Sequence, residues 1–388
     1  MNTKRAITSI IIFMCIFSCK TTEKEEKPKA PEKVKDGLGK IFWEDGSIRG
    51  EGNFINYQKN GKWILYYKGI GKKQAEGKHI NDQQEGKWIF FHKNGTKSIE
   101  GEFKNGQKIG EWQAYYNTGQ LLWKANYILR TIEGMKVGAI EGMKISYYKS
   151  GKVWKEEEFR RAVKRGRSQE YYENGKPKEI AWFKNDKYNG KVNKWWGNGN
   201  PSENGFYVND KRTGEWKFFF ENGRKKMTGR YAKGKMEGIW KIYSPEGGLE
   251  STGNFEGGKQ VGVWTYYNKK RQITKKLTIN GGMITGKCWI YENNKLTGEG
   301  EMTGLAKKPK KNGQWKEFYP NGKVKYVGNF QLGKKNGTFK EYYSNGKLMS
   351  EGSYMLNKKN GKWTFYNKNG SIDTEKSGNY MMDKKTKF

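Results

Sequence analysis

A glycine followed two residues later by a large side chain, most often tryptophan, returns along this chain in a fixed register. "TGEWKFFFENGRKKMTGRYAKG" at 213–234 is echoed by "EGKWIFFHKNGTKSIEGEFKNG" at 85–106 and by "NGQWKEFYPNGKVKYVGNFQLG" at 312–333. Such self-similarity restricts the fold to architectures in which one small unit stacks on copies of itself. With the glycine as position 1, the register falls at Gly37, Gly61, Gly86, Gly110, Gly142, Gly166, Gly190, Gly214, Gly238, Gly262, Gly286, Gly313, Gly337 and Gly361. Ten of the thirteen intervals are 24 residues, and the others are 25, 32 and 27. Fourteen repeats result.

Position 6 is aromatic throughout, from Phe42 and Tyr66 to Tyr342 and Tyr366. Position 3 is Trp63, Trp88, Trp112, Trp216, Trp240, Trp264, Trp315 and Trp363 in eight repeats. Asn-Gly at positions 9 and 10, as in Asn94-Gly95, Asn222-Gly223 and Asn345-Gly346, predicts a two-residue type I′ hairpin turn. Pairing across it sets position 6 against 13 and position 3 against 16, where glycine is frequent (Gly101, Gly229, Gly352). Each tryptophan is thereby expected to cover a glycine, with the aromatic of position 18 (Phe103, Tyr231, Phe255) on the same face. A second turn near positions 20 and 21 returns the chain to the next unit. The reading is all-β: an elongated, open antiparallel meander of stacked hairpins forming a single-layer twisted rod. Twenty-eight strands at about 4.8 Å spacing would extend on the order of 130 Å. The eight tryptophans are assigned a structural role in the repeat.

Only 34% of the chain is hydrophobic, yet 15% is aromatic and 52 residues are glycine. This excludes an ordinary Leu/Ile/Val core, and the aromatic density argues against disorder. The net charge of +36 suits nucleic acid, acidic lipid headgroups or acidic polysaccharide, or else a merely solvated surface.

The start, "MNTKRAITSIIIFMCIFSC", places Lys4 and Arg5 before an apolar run too short to span a bilayer as a permanent helix. It resembles a bacterial lipoprotein signal, which implies cleavage before Cys19 and lipidation of that residue. An uncleaved anchor or an unlipidated signal is the alternative. The expected organisation is a signal over 1–18, a charged tether over 19–36, and repeats over 37–388. Of three cysteines, Cys288 alone lies in the repeats, so no disulfide framework is expected.

The recurring G-x-W-x-x-Y-Y-x-N-G-K and E-G-x-[FY]-x-N-G-K phrases resemble MORN repeats, in particular the bacterial variant known as YwqK-family antitoxin repeats. The resemblance runs from 37 to about 384. It implies a ribbon of β-hairpins and roles in membrane association, dimerisation or protein scaffolding, with links to acidic phospholipids. The chain departs from the pattern where position 3 is Lys144, Ser168 and Val192, where Cys288 replaces a tryptophan, and at insertions over 128–141 and 303–311.

No asymmetric constellation of nucleophile, base and orienting group emerges, and no enzyme, cofactor or metal site is expected. His79 and His92 lack partners at metal-ligand spacing and read as surface substitutions. Cys288 reads as a half-buried, inert thiol. Single-stranded nucleic acid could stack on such aromatics, but export argues against it. The candidate binding residues are basic: Arg160, Arg161, Lys164, Arg165 and Arg167 in "FRRAVKRGR", and Lys307, Lys308 and Lys310 in the second insertion. The functional expectation is a lipid-anchored, non-catalytic envelope scaffold for a protein, an anionic membrane or a glycan. The alternative is an antitoxin or immunity protein that sequesters a toxin.

Overall fold

The computed structural model describes residues 34–306 and 308–386, all in strands and turns with no helix among them. Twenty-nine strands form one sheet, each pairing antiparallel with the next in sequence. The strand Lys211–Phe219, for example, lies between Pro201–Val208 and Lys225–Ala232. The count exceeds the expected twenty-eight because Lys384–Lys385 begins one further strand after the last repeat. The 128–141 insertion lengthens a hairpin of the same meander, Leu121–Ile132 with Met135–Tyr147. Its Gly138 lies against the Lys108 backbone, where a Cβ would stand 2.5 Å from the carbonyl oxygen, and its N–H donates to Gln107.

The two-residue turn expected at positions 9 and 10 is found instead at positions 20 and 21. At positions 20 and 21, pairs such as Asn185 and Asp186 (φ 53° and 63°) or Asn209 and Asp210 (φ 47° and 64°) both take positive φ. These are the two-residue I′-like turns. At positions 7 to 11 the loop has three residues: Gly223 N–H donates to the Phe220 carbonyl and Phe220 N–H to the Arg224 carbonyl. Gly223 alone has positive φ, 81°, as in a type I turn followed by a glycine bulge. Position 6 therefore pairs with 12, not 13 (Phe219 with Lys225), while position 3 still pairs with 16 (Trp216 with Gly229). Asn222 serves by its side chain instead, accepting from Arg224 N–H and donating to the Pro245 carbonyl one repeat on.

The position-1 glycine answers to a third irregularity. Where Pro201–Val208 meets Lys211–Phe219, the register jumps between Asn204 and Phe206, leaving more residues on the second strand than on the first. Gly214 sits in this bulge at φ 66°, a conformation that costs a residue with a Cβ.

The bulge aims each tryptophan backwards. A Cβ on Gly229 would fall 2.1 Å from Cδ2 of Trp240, and one on Gly205 2.3 Å from that of Trp216. So the indole covers the glycine of the preceding repeat, not that of its own, and most of these indoles donate N–H to a carbonyl there, as Trp240 does to Arg230 and Trp264 to Asn254. All eight tryptophans are at most 1% exposed. Position-18 rings meet them edge-on, as Tyr231 does Trp240 at 5.2 Å. Cations two residues before position 1 close the stack: Lys108, Arg212 and Lys311 lie 4.1, 4.4 and 4.7 Å from the rings of Trp112, Trp216 and Trp315. Burial pushes the Lys108 and Lys311 ammonium groups below the usual lysine range. A single layer thus builds a core on one face from its own side chains.

His79 belongs to that core and is not a surface substitution. It fills the position-18 slot at 5% exposure, with its ring 5.9 Å from Trp63 and 4.9 Å from Trp88. The 25-residue interval hid this, because the extra residue shifts His79 one place past the expected position. His92 joins a ladder in which position 7 bonds the position-6 carbonyl of the next repeat: His92 to Tyr115, Tyr148 to Tyr171, Tyr319 to Tyr342.

Candidate functional site

Large and small residues alternate through the core by a simple rule. Wherever position 3 is tryptophan, the residue behind it, the one paired with position 3 of the preceding repeat, is glycine: at position 16 in six cases, and at Gly77 and Gly300 where the 25- and 27-residue intervals displace it. Where position 3 is Lys144, Ser168, Val192 or Cys288, that residue is Ala125, Glu157, Ala181 or Leu277. Ala181, Val192, Leu277 and Cys288 are completely buried. Cys288 is thus a filled core position facing Leu277, and burial pushes its thiol up. The repeats from Gly142 to Thr213 close their face with smaller residues and with charge. Lys194 reaches Glu179 and Glu203 at 3.0 and 3.1 Å, and Arg212 reaches Glu203 at 2.9 Å.

Lys164 belongs to a second internal cluster, with Glu157 and Lys155. Its Nζ is 2.7 Å from Glu157 and 3.6 Å from the Phe183 ring centroid, with the side chain 13% exposed. Burial pushes the Glu157 carboxyl up, but Lys164 and Lys155 beside it outweigh this and hold it below its ordinary value. Lys164 is therefore committed to the fold and is not available to a partner as the charge run suggested.

The arginines around it are available. Arg160, Arg161 and Arg165 are exposed and line a groove of about 580 Å³ with Arg130, Lys184 and Phe183. The groove lies along the edge made by the two-residue turns Arg161–Ala162 and Asn185–Asp186. Arg130 comes from the 128–141 insertion, and its Nη1 donates to the Arg161 carbonyl at 2.7 Å. No ion pair involves these four arginines or Lys184 among the described residues, although sixteen pairs form elsewhere. The nearby carboxylates of Glu141 and Asp186 are turned to backbone instead, accepting from Arg161 N–H and Lys164 N–H. Five cations thus line one groove with no carboxylate within ion-pair distance of any of them among the described residues.

Arg167 is not among them. It pairs in register with Trp182, both 38%-exposed Trp182 and Arg167 belonging to the opposite face. Sequence reasoning missed Arg130, 30 residues before Arg160, and Lys184, 19 residues after Arg165, which only hairpin stacking brings to the run. In the second insertion Lys308 and Lys310 are exposed, and Lys308 N–H donates to Leu305. Lys307 and Cys19 lie outside the described residues, as do the proposed signal and most of the tether. No group of histidine, cysteine and carboxylate side chains suited to a metal occurs among the described residues.

Seven segments match the model of the MORN repeat variant: 35–56, 84–105, 164–185, 212–233, 236–256, 311–332 and 335–355. Each starts two residues before a position-1 glycine and runs to the next two-residue turn, so the matched unit is one hairpin with its three-residue loop. No curated protein matches the chain. Among solved structures, it is similar to a crystal structure of TcdB2-TccC3-TEV at 10% identity and TM-score 0.16, with 87% of this chain and 20% of that one covered. The Tc holotoxin pore of Photorhabdus luminescens gives 12% and 0.17, with 88% and 22% covered. A porin-like protein from Bacteroides uniformis gives 9% and 0.14, with 65% and 87% covered. The chain spans about a fifth of the length of the first of these.

Proposed function

We propose that this MORN-repeat chain is a non-catalytic scaffold, lipid-anchored at Cys19 in a bacterial envelope, and that the Arg130–Lys184 groove receives an anionic partner. The observation that supports this most is the convergence of five cations with no paired carboxylate. Guanidinium groups are suited to bidentate contact with phosphate or carboxylate, and an unpaired cluster of them attracts anions over roughly a Debye length, about 8 Å at physiological salt. The tryptophan face does not provide the contact platform, because its rings are already covered.

Cosedimentation with vesicles containing an anionic phospholipid, set against neutral vesicles, tests the reading. Arg160, Arg161 and Arg165 changed together to Glu should abolish retention and flatten its salt dependence, whereas Lys308 and Lys310 changed to Glu should leave most of it. Equal loss in both variants would make the attraction a diffuse property of the rod and remove the site. The anchor is tested separately: Cys19→Ala should release the protein from membranes washed at high salt, where the attraction of the groove is screened, and unchanged retention under that wash would refute lipidation.

A further inference from the structure

Trp315 is the exception among the eight tryptophans. The other seven indole N–H groups all donate to a backbone carbonyl. Trp315 is 1% exposed and its Nε1 has no partner among the described residues. The 27-residue interval before it explains why. At Gly300 the Trp315 main chain crowds in beside the ring, with Cα and Cε3 each 2.7 Å from an added Cβ. The Nε1 and Cζ2 edge of the ring extends two residues further along, over Gly298. A buried donor left unmatched costs roughly 1–3 kcal/mol, so a molecule offering an acceptor there gains by it.

The space for one exists. Gly298 stands across from Ile290, at a slot that holds a side chain in most repeats. A Cβ there would be 3.2 Å from Nε1 and 3.0 Å from Cζ2 of Trp315, so the N–H edge of the indole lies directly over this glycine. Gly298 and Trp315 together border a groove of about 670 Å³ that is also lined by Ile290, Lys295, Lys311 and Lys325. Lys311 and Lys325 share one carboxylate, Glu317, at 3.2 and 3.3 Å. Lys295 makes no ion pair among the described residues, and it stands exposed at the rim beside Glu292. Three ammonium groups face two carboxylates.

We infer that this groove binds a carboxylate, one oxygen accepting the Trp315 indole N–H while the unpaired ammonium group of Lys295 supplies the counter-charge. The source is either a free sugar acid or an acidic side chain of a polypeptide. The site is separate from the arginine groove, lies on the opposite side of the regular repeats 214–285 in sequence, and does not depend on that reading.

The test uses the full repeat chain labelled with ¹⁵N at indole nitrogens, titrated with sodium glucuronate, N-acetyl-aspartyl amide and, as a neutral control, glucose. Trp315 is assigned from Trp315→Phe, with Lys295→Ala and Gly298→Ser as variants that keep the ring. The expected result is a saturable shift of the Trp315 signal alone with one or both carboxylates and none with glucose. Lys295→Ala should weaken it about tenfold, and Gly298→Ser, whose hydroxyl would take the N–H, should abolish it. A shift with glucuronate only assigns a sugar acid, and one with the aspartyl amide only assigns a protein side chain. No Trp315 shift with either carboxylate, or an equal shift with glucose, would overturn the proposal and leave a water-filled groove.

Discussion

The repeats starting at Gly214, Gly238 and Gly262 and those starting at Gly142, Gly166 and Gly190 share one backbone but hold it with different chemistry. In the first set Trp216, Trp240 and Trp264 lie over bare glycines and are sealed by rings and by Arg212. In the second, Ser168, Ala181 and Val192 fill the same level, and two separate ion pairs, Lys164 with Glu157 and Lys194 with Glu203, close it. Both sets keep the turn-edge ladder: Asn174 to Gly197, Asn198 to Glu221 and Asn222 to Pro245. The hairpin edge is thus independent of the aromatic core. The basic groove has formed where the core is held by charge and small residues, next to an insertion.

The sharpest way to break this comparison is to remove one large side chain from each set. Trp240→Ala should destabilise its neighbourhood by about 3–5 kcal/mol. Val192→Ala, losing two methyl groups, should cost about 2 kcal/mol. Hydrogen exchange resolved by repeat is the suitable readout, since a stacked array need not unfold as one unit. Equal losses would mean that the indoles contribute no more than bulk.

The N-terminal repeats add a pH-sensitive element that neither set has. Burial, with Lys59 nearby, lowers the His79 pKa to about 4, below its ordinary value of about 6.5. The unfolded chain therefore binds the proton more readily between these values. Stability should be unaffected above pH 6.5 and fall by roughly 3 kcal/mol as the pH drops to about 4. His79→Phe should flatten this dependence around Trp63 and Trp88, and leave the 142–213 segment unchanged. An unaltered pH profile in the variant would place the acid sensitivity elsewhere.

A paired exchange tests the size rule itself. Cys288→Trp alone should overpack against Leu277 and cost ~1–3 kcal/mol. Adding Leu277→Gly should recover most of that loss, because the two sites touch and are not additive. A double variant no better than the single would refute the rule. The smallest effect belongs to the shared edge: Asn198→Ala and Asn222→Ala should each cost about 1 kcal/mol, alike in both sets, by thermal melts.

The sequence made the period, the all-β meander and the 3-to-16 pairing legible, because glycine and aromatic residues mark each unit in print. The turn types were not legible. Asn-Gly favours positive φ at both residues, but a three-residue loop satisfies the same dipeptide with Asn222 held by its side chain and only Gly223 left-handed. The backward reach of Trp240 follows from the bulge at Gly238, which no count of residues reveals. The arginine groove was half legible. The charge run was visible, but Lys164 turns inward to Glu157 and Arg130 arrives from another hairpin, and both facts depend on stacking between repeats.

The asparagine that links 94 to 117, 174 to 197, 198 to 221, 222 to 245 and 321 to 344 joins neighbours of differing core composition in one and the same way. The acceptor is always a backbone carbonyl, which a repeat presents whatever its side chains are. Excising residues 214–237 would bring Thr213 to Gly238 and recreate a junction already present at Glu237 and Gly238. The length of this protein is therefore adjustable in whole steps of 24 residues, a ruler that can be cut or extended at its marks without redrawing the scale.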